Sequence, residues 1–348
     1  MRKIKRRTAL IVIMAILAVC MCGCSSENEA EEKETVKENT NPQIGMSFDS
    51  FVTERWIRDQ DAFVSTAREL GADVNVQSAN GEVEEQISQI EYFIDKKMDA
   101  IVIVASDAGK LSEVIAKAKK ADIPVICYDR LCLSSNADLY ISFDNNTVGR
   151  LMGEALLKKI GNDAKIVTVC GPDADFNVKL VAEGFEEAIS TKNAQIIESC
   201  SCEGWRSEEA YNYVSSNIET IGTADAIMCG NDDLAGAVIR VLSENRLSGK
   251  IPVVGQDCDL AACQRIVEGT QLMTVYKPVE KLAKAAAEYA VKLAKDEPLD
   301  ITETFSDGTY DVPCVLLDPI AVTKDNMDEV VIGSGFHLKE EVYLNSEK

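Results

Sequence analysis

The chain has 348 residues, of which 36 are lysine or arginine and 58 are aspartate or glutamate, giving a net charge of −22. This acidic balance argues against a nucleic-acid-binding protein, which needs a basic surface, and against a protein that lies on anionic lipid. The 12 cysteines are accompanied by a single histidine, His337, so no Cys/His zinc spacing exists. We therefore expect neither a metal site nor a cofactor.

The first residues predict an export signal. Five basic residues between positions 2 and 7 precede an apolar run from Leu10 to Val19 that is too short to span a bilayer comfortably. The run is followed by a Cys-Gly-Cys sequence that resembles a bacterial lipobox, with Gly23 before the cleavage point and Cys24 as the lipidated residue. We predict a lipoprotein signal peptide at residues 1–23, with an uncleaved membrane anchor as the alternative. Either arrangement places the protein outside the cytoplasmic membrane.

The next segment predicts a disordered tether. Residues 24–42 are rich in glutamate and contain almost no apolar side chain. Such a segment buries too little surface to offset its chain entropy, so we expect a spacer between the lipid and the folded part.

Removal of the signal makes the exported chain more acidic. The signal contains five of the 36 basic residues, so 31 remain against 58 acidic ones, a balance of −27. Nine cysteines follow Cys24, and because several lie within apolar strand patterns we expect free, buried thiols.

From Gln43 onward, short apolar strands alternate with amphipathic helices. The helical segments carry apolar residues three and four positions apart, as in the stripe from Val148 to Leu156. This alternation is typical of parallel sheets that are covered by helices on both faces. The predicted strands, in chain order, are Gln43–Phe48, Asp73–Gln77, Ala100–Ala105, Pro124–Tyr128, Leu139–Phe143, Lys165–Cys170, Gln195–Ser199, Ala226–Cys229, Pro252–Gln256 and Leu272–Tyr276.

The length predicts two lobes, because about 300 folded residues exceed what one hydrophobic core usually holds. The apolar runs Ile101–Val104 and Ile166–Val169 are nearly continuous, which is typical of central parallel strands buried on both faces. One such run lies in each half of the folded region. Beyond Pro298 the pattern changes to short strands or crossovers, followed by a polar tail.

Polar and charged residues follow several of the predicted strands. The carboxyl ends of parallel strands are where open α/β sheets bind ligands. Asp, Asn, Arg and Lys at these positions suit a ligand made mostly of hydroxyl groups, so the pattern predicts a sugar-binding protein. Taken singly, each of these residues is equally well explained as a helix N-cap or a surface residue. The five clusters are Tyr128-Asp129-Arg130, Asp144-Asn145-Asn146, Asn231-Asp232-Asp233, Gln256-Asp257 and Tyr276-Lys277.

An ordered series of segments resembles the bacterial D-xylose-binding proteins, the substrate-binding components of ABC sugar importers. The resemblance runs from about Ile44 to Phe336 and rests on the order of the segments rather than on any one motif. Two of the segments, Glu54-Arg55-Trp56 and Ser78-Ala79-Asn80-Gly81, make the resemblance specific to the xylose-binding proteins among the sugar binders. The other matching segments are Ile44-Gly45-Met46, Tyr128-Asp129-Arg130, Tyr140–Asn145, Asn231-Asp232, Gly255-Gln256-Asp257 and Met273–Pro278.

The resemblance implies the type I periplasmic-binding-protein fold, in which two doubly wound parallel-sheet lobes are joined by a three-crossover hinge. The chain is expected to cross between the lobes near Asn146, Lys277 and Phe305. The implied division is an N-terminal lobe of residues 43–146 plus 278–305, a C-terminal lobe of residues 147–277 plus 306–336, and a polar tail of residues 337–348.

The resemblance also implies a sugar site between the lobes. Carboxylates accept hydrogen bonds from hydroxyl groups, cationic side chains donate them, amides do both, and an aromatic ring lies against a sugar face. Trp56, Asn177 and Trp205 match positions near the sugar, the last two beside loops, Gly171–Asp175 and Cys200–Gly204, that differ from the family pattern. The positions that match the family's sugar contacts are Arg55, Asp129, Arg130, Asn145, Asn231, Asp257 and Lys277.

The implied function is the capture of D-xylose or a close aldose by a lipid-anchored protein on the extracytoplasmic face of the membrane, as in Gram-positive bacteria. Closure of the lobes around the sugar would present it to an ABC permease. The alternative is a sugar sensor whose closed form is recognised by a membrane sensor kinase. A sugar-responsive transcription regulator is excluded because the signal and tether occupy the place of its DNA-binding domain. No nucleophile, phosphate loop or metal motif supports an enzyme.

Overall fold

Two α/β lobes form the part of the chain that the structure, a computed structural model, describes, residues 41–345. The predicted signal peptide, the lipidation site Cys24 and nearly all of the tether lie outside the described residues. Between residues 41 and 345, no helix combines the length and the apolar character needed to cross a membrane. The nine cysteines in this range form no disulfide, and seven of them are buried, as the apolar strand patterns predict.

The strands occur where the apolar patterns predict them, and four of them, β1, β5, β6 and β8, match the predicted residues at both ends. The strands are β1 (Gln43–Phe48), β2 (Asp73–Ser78), β3 (Ala100–Ile103), β4 (Val125–Tyr128), β5 (Leu139–Phe143), β6 (Lys165–Cys170), β7 (Gln195–Ser201), β8 (Ala226–Cys229), β9 (Val253–Val254), β10 (Thr274–Tyr276), β11 (Thr304–Ser306), β12 (Asp311–Leu317) and β13 (Ile320–Val322).

Helices follow most of the strands and cover the sheets. The α-helices are α1 (Arg55–Glu69), α2 (Val83–Asp95), α3 (Ser112–Lys120), α4 (Asn145–Leu157), α5 (Phe176–Ser190), α6 (Ser207–Ser216), α7 (Ile218–Ile221), α8 (Asp232–Glu244), α9 (Leu260–Glu268), α10 (Val279–Ala294) and α11 (Lys339–Val342). Two 3₁₀ turns, Glu203–Trp205 and Lys324–Asn326, and a π-helical turn, Asp328–Ile332, complete the described elements.

The first lobe is built on a seven-stranded sheet with the order β11-β12-β5-β4-β3-β1-β2. All neighbouring strands in it are parallel except β11 and β12. Successive residues of β3 face opposite cores, because Val102 packs with α1 and α10 whereas Ile101 packs with α2 and α3. This double cover explains why β3 and β4 are buried along their whole length.

The second lobe is built on a parallel sheet with the order β7-β6-β8-β9. A parallel bridge between Val254 and Met273 adds β10, and β13 pairs antiparallel with β10. Helices α4 and α5 cover one face of this sheet, and α6 and α8 cover the other. The near-continuous run Ile166–Val169 lies in the central strand β6, as its composition predicts.

The chain crosses between the lobes three times, but the third crossover is not where it was expected. The crossings after β5 and after β10 lie near Asn146 and Lys277, as predicted. The prediction of a third crossing near Phe305 is wrong, because β12 pairs with β5 of the first lobe from Cys314 to Leu317. The crossing instead lies between β12 and β13, so residues 306–317 belong to the first lobe.

The expectation of a polar tail from residue 337 is also wrong for the described residues. The His337 and Val342 side chains are 6% and 1% exposed. The preceding residue, Phe336, packs against the Tyr276 ring at 4.9 Å and under the Arg58 guanidinium at 4.3 Å. Polar residues predominate in this segment, with Lys339, Glu340 and Glu341 in succession, and they hid the few apolar contacts that anchor it. Phe336, His337 and Val342 are therefore buried at the junction of the lobes, whereas residues 338–341 between them are exposed.

His337 links the two lobes. Its Nε2 lies 2.8 Å from the Cys258 carbonyl oxygen in the second lobe, and its Nδ1 lies 3.4 Å from an Arg58 guanidinium nitrogen in the first. A carbonyl only accepts and a guanidinium only donates, so the neutral Nε2–H tautomer satisfies both contacts. Protonation would place a second N–H against Arg58.

We predict that this link weakens in acid. Burial lowers the pKa of His337 below its ordinary value of 6.5, so the folded chain binds this proton less readily than the unfolded chain. The stabilisation is therefore present above about pH 6.5 and is lost as the pH falls below it. Thermal unfolding at pH 7.5 and 5.5 should show a larger loss for the natural chain than for His337→Gln. An equal loss in both would contradict the prediction, since no other histidine contributes.

Candidate functional site

All ten side chains predicted to surround the sugar line one cleft between the lobes. Each of them follows the carboxyl end of a strand, and eight different strands, β1 and β4 to β10, contribute. The two sheets thus direct their ligand-binding edges at the same space, as expected for doubly wound sheets. The cleft is lined further by seven residues that were not predicted as contacts: Thr53, Cys170, Asp175, Val178, Val181, Gly230 and Gln256.

Arg55 is the charged centre of the first-lobe wall. One of its guanidinium nitrogens lies 3.1 Å from Asp59 Oδ1 and 2.9 Å from Asp129 Oδ2, and the arginine is only 3% exposed. The guanidinium also stacks on Trp56, 4.4 Å from the ring centroid. Burial lowers the pKa of Arg55, but the carboxylates of Asp129, Asp59 and Asp257 outweigh it, so this pKa is raised and the side chain stays cationic.

Asp129 combines an unusual backbone conformation with a stable negative charge. Its φ of 61° lies in the left-handed region, and its carbonyl oxygen accepts a 2.6 Å hydrogen bond from Ser142 Oγ. Burial raises the pKa of the carboxyl group, but Arg55, Lys277 and Arg130 outweigh it, so the pKa is lowered. The group is thus an ionised acceptor held at the end of β4, in a backbone region that is often found at functional sites.

The second-lobe wall supplies a carboxylate and an amide. Asp257 Oδ1 lies 2.6 Å from Lys277 Nζ and 3.9 Å from an Arg55 guanidinium nitrogen of the first lobe. Asp257 and the next residue, Cys258, both have positive φ values, 97° and 63°. Thr274 Oγ1 accepts a 3.1 Å hydrogen bond from the Cys258 amide, so neighbouring strand β10 fixes this strained pair.

Asn231 serves both as the helix cap and as a lining residue, so the two explanations of such positions are compatible. Its Oδ1 accepts a 2.9 Å hydrogen bond from the Leu234 amide at the start of α8. The side chain is nevertheless 2% exposed and lines the cleft. The cap uses one lone pair of Oδ1, so Asn231 can bind a ligand through its amide nitrogen and through the second lone pair of that oxygen.

Three buried polar atoms in the cleft have neither a hydrogen-bond partner nor an ion-pair partner within the described residues: Asn177 Oδ1, Trp205 Nε1 and Gln256 Oε1. A buried polar atom without a partner costs about 1–3 kcal/mol, so such atoms are rare in folded proteins. Two of these atoms accept and one donates, which is the capacity that a hydroxyl-bearing ligand satisfies. Gln256 belongs to the Gly255-Gln256-Asp257 segment but was not predicted as a sugar contact. Its Nε2 donates to the Gly230 carbonyl oxygen at 2.5 Å, which leaves its Oε1 without a partner within the described residues.

Trp205 depends on glycines for its place in the cleft. A Cβ atom on Gly171 would lie 2.3 Å from the indole, and one on Gly230 would lie 3.1 Å from it. The indole is carried by the 3₁₀ turn that follows Cys202, where Trp205 itself has a φ of 59°. The two loops that differ from the family pattern therefore meet here, because Gly171 lies in one and Trp205 follows the other.

The comparisons with known proteins agree with this architecture. Residues 44–298 match the family model described as periplasmic binding protein domain. The chain belongs to that family. The D-xylose-binding periplasmic protein of Haemophilus influenzae is 42% identical over 306 residues, which cover 86% of this chain and 92% of that protein. The protein of the same description from Escherichia coli is 40% identical over 308 residues, with coverages of 86% and 92%.

A solved structure extends the likeness to three dimensions. An ABC transporter solute-binding protein from Clostridium phytofermentans with bound β-D-glucose aligns with a TM-score of 0.77 and 27% identity, covering 86% of this chain and 99% of that chain. The fold is the type I periplasmic-binding-protein fold, as the resemblance implied. The expectation of a binding protein rather than an enzyme is confirmed by the family to which the chain belongs.

Asp59 holds Arg55 in place in the first-lobe wall of the cleft, although no pattern in the sequence predicted a role for this residue. It is fully buried, forms a two-point contact with Arg55, and accepts a hydrogen bond from the Tyr128 hydroxyl. We predict that Asp59→Ala destabilises the fold by about 3–5 kcal/mol, because it removes one partner of a buried ion pair. Denaturant unfolding measures this.

The control for this variant is Asp61→Ala, which removes the same charge from an exposed position of the same helix. Its free energy of unfolding should stay within about 0.5 kcal/mol of the natural value. Equal losses in the two variants would mean that the charge, and not the buried contact, decides the stability.

Proposed function

We propose that the protein captures D-xylose, or a close aldose, in the cleft between its lobes and delivers it to an ABC importer. One observation carries the proposal: eight strand ends from two lobes bring donors, acceptors and two indole rings to one buried cleft. The D-xylose-binding relatives at 42% and 40% identity support the choice of sugar. Because the similar solute-binding structure contains bound glucose, glucose is the aldose whose affinity should be compared with that of D-xylose.

The chemistry of the cleft suits a ring of hydroxyl groups. The carboxylates of Asp129 and Asp257 each accept from hydroxyls, and the Lys277 ammonium and Arg55 guanidinium donate to them. Charge-assisted hydrogen bonds of this kind are roughly twice as strong as neutral ones. Asn145, Asn177 and Asn231 supply amides, Trp56 and Trp205 supply flat apolar surface for a sugar face, and Arg130 donates from the first lobe.

Binding by closure follows from the placement of these groups on both lobes. A sugar that contacts Asp129 of the first lobe and Asp257 of the second makes its full set of bonds only when the lobes are closed. Such a ligand favours the closed form by the difference of its affinity for the two forms. The importer then distinguishes loaded from empty protein by the shape of the closed form.

The site of action follows from the N-terminal sequence. The basic start, the apolar run and Cys24 support export followed by lipid anchoring on the extracytoplasmic face, with residues 24–42 as the spacer. The periplasmic relatives support the export. Reporting of the sugar to a membrane sensor kinase would use the same closed form, and neither the cleft nor the names of the relatives favour it over import.

Calorimetric titration tests the proposal. The chain lacking residues 1–24 is titrated with D-xylose, D-glucose, D-ribose, L-arabinose and D-galactose. We expect one-to-one binding of D-xylose with a Kd at least about tenfold lower than that of any other sugar, a difference of about 1.4 kcal/mol. Tighter binding of another of these sugars would mean that the protein is specific for that sugar and not for D-xylose. Failure to bind any of the five would refute the proposed function.

We further predict that Lys277→Met weakens sugar binding. The methionine preserves most of the volume but removes the cation beside Asp257, so one acceptor loses its buried partner. The expected loss is about 2–5 kcal/mol, or at least about thirtyfold in Kd, measured by the same titration. Lys281→Met, on the exposed side of α10, removes the same charge and should bind as the natural protein does. Equal affinities in the two variants would place Lys277 outside the binding set.

A further inference from the structure

Two thiols meet behind the second-lobe wall of the cleft. Cys258 follows the cleft residue Asp257 in the turn between β9 and α9, and Cys263 lies in the first turns of α9. Their sulfur atoms are 3.5 Å apart, and both side chains are fully buried. The remaining gap to bonding distance is about 1.5 Å, which lies within the reach of side-chain rotation.

The turn that carries Asp257 is strained and is held by its backbone. Asp257 and Cys258 both have a φ in the left-handed region, 97° and 63°, although neither is glycine. The Asp257 amide donates to the Val275 carbonyl at 2.9 Å, and the Cys258 carbonyl oxygen lies 2.8 Å from His337 Nε2. On its side-chain face the turn meets Cys263, whose sulfur also lies 3.6 Å from the Cys258 carbonyl oxygen. A bond between the two sulfur atoms would therefore hold the turn from the face opposite to these backbone contacts.

Packing alone does not account for the pair. Buried thiols act as small apolar groups, and Cys258 and Cys263 share a hydrophobic core with Ile266 and Phe336. Alanine or valine would serve such packing equally well, without two sulfur atoms that face each other. The predicted export of the chain also places these thiols where disulfides form and persist.

The folded protein keeps the pair as two thiols. The hydrogen bond with Cys263 and burial raise the pKa of Cys258, and the thiolate is the form of cysteine that reacts. A disulfide therefore forms when the turn opens, either during folding or in a local unfolding event.

The reaction is a thiol–disulfide exchange with a small-molecule disulfide such as oxidised glutathione. The Cys258 thiol loses its proton, and its sulfur attacks the reagent, which releases one glutathione and leaves a mixed disulfide. The Cys263 thiolate then attacks the Cys258 sulfur and releases the second glutathione. The two protein thiols lose two electrons and two protons, and the reagent is reduced to two thiols.

We propose that Cys258 and Cys263 are a redox-sensitive pair, whose disulfide fixes the Asp257 turn in the conformation that presents this carboxylate to the cleft. A loop that is rigid in its bound conformation loses less entropy on binding, so the oxidised protein binds its ligand more tightly. The link to sugar affinity rests on the proposed function. The formation of the disulfide and its effect on stability do not.

Bond mapping tests the first part. The chain lacking residues 1–24, which retains nine cysteines, is refolded from urea in mixtures of oxidised and reduced glutathione. Free thiols are then blocked with iodoacetamide, and the peptides are identified by mass spectrometry. We expect a Cys258–Cys263 disulfide at high ratios of oxidised to reduced glutathione, and its loss when reduced glutathione is in excess.

Two variants serve as controls for the mapping. Cys263→Ala removes one partner, so Cys258 should be recovered blocked or joined to glutathione. Alanine suits a helix interior, and Cys263→Ser takes its place if this variant fails to fold. Cys200→Ser removes one member of another close pair, whose sulfur atoms lie 3.9 Å apart, and it should form the Cys258–Cys263 bond as the natural chain does.

Thermal unfolding and sugar titration test the second part. The oxidised natural chain should unfold at a higher temperature than the reduced one, because the bond restricts the unfolded chain. Its Kd for D-xylose should be at least about threefold lower than that of the reduced chain. Cys263→Ala should show the same unfolding temperature and the same Kd with and without the oxidant.

Three outcomes would overturn the proposal. The first is the absence of a Cys258–Cys263 bond after refolding in the most oxidising mixture. The second is an oxidised chain that unfolds at the same or a lower temperature. The third is a Kd for a bound sugar that stays equal or rises on oxidation, which would mean that the bond does not hold Asp257 in its binding position. If the natural chain binds no sugar in either redox state, the proposed function fails, and mapping and unfolding still decide whether the disulfide forms and stabilises the turn.

Discussion

The cleft depends on a single buried cation, Arg55. Asp59, Asp129 and Asp257 all lie within 4 Å of its guanidinium, and each of them would be costly to bury as an isolated anion. The attraction of the guanidinium offsets part of the cost of burying these carboxylates where water is largely excluded. Asp129 and Asp257 come from different lobes, so the same cation also joins the two walls. The chain as a whole is acidic, with a net charge of −22. Without Arg55, repulsion between the Asp129 and Asp257 carboxylates would oppose closure of the two lobes.

Much of the fold was predictable because its strands are buried on both faces. Runs such as Ile166–Val169 need no distant information, since nearly every residue in them is apolar. The third crossover was not predictable in this way. The order of the strands depends on which edge β12 joins, and its partner β5 lies far back in the chain. The contacts of Phe336 were missed for the same reason, because its partners Arg58 and Tyr276 are distant in sequence.

The candidate site was predictable where function and strand geometry coincide. Asp129 and Asp257 follow strands directly, so any parallel-sheet model brings them to one edge. Asp175, which lies 2.8 Å from Arg130 of the first lobe, was missed because a helix cap and an inter-lobe ion pair have the same signature in sequence, an aspartate before a helix. Asp59 was missed because it is an ordinary acidic residue of an amphipathic helix until the fold buries it. Residues that position others leave no local pattern.

The place of β12 also bears on how the fold is reached. Cys314 and Tyr140 are register partners although 174 residues separate them, whereas Ile166 and Ala226, partners within the second lobe, are 60 residues apart. Loop-closure entropy grows with the logarithm of this separation, which makes the first pairing about 0.9 kcal/mol harder to form. The second lobe is nearly continuous in sequence, but the first is complete only when the chain returns to it. Its outer edge therefore has a higher contact order than the sheet of the second lobe, and it depends on residues that are made late in synthesis.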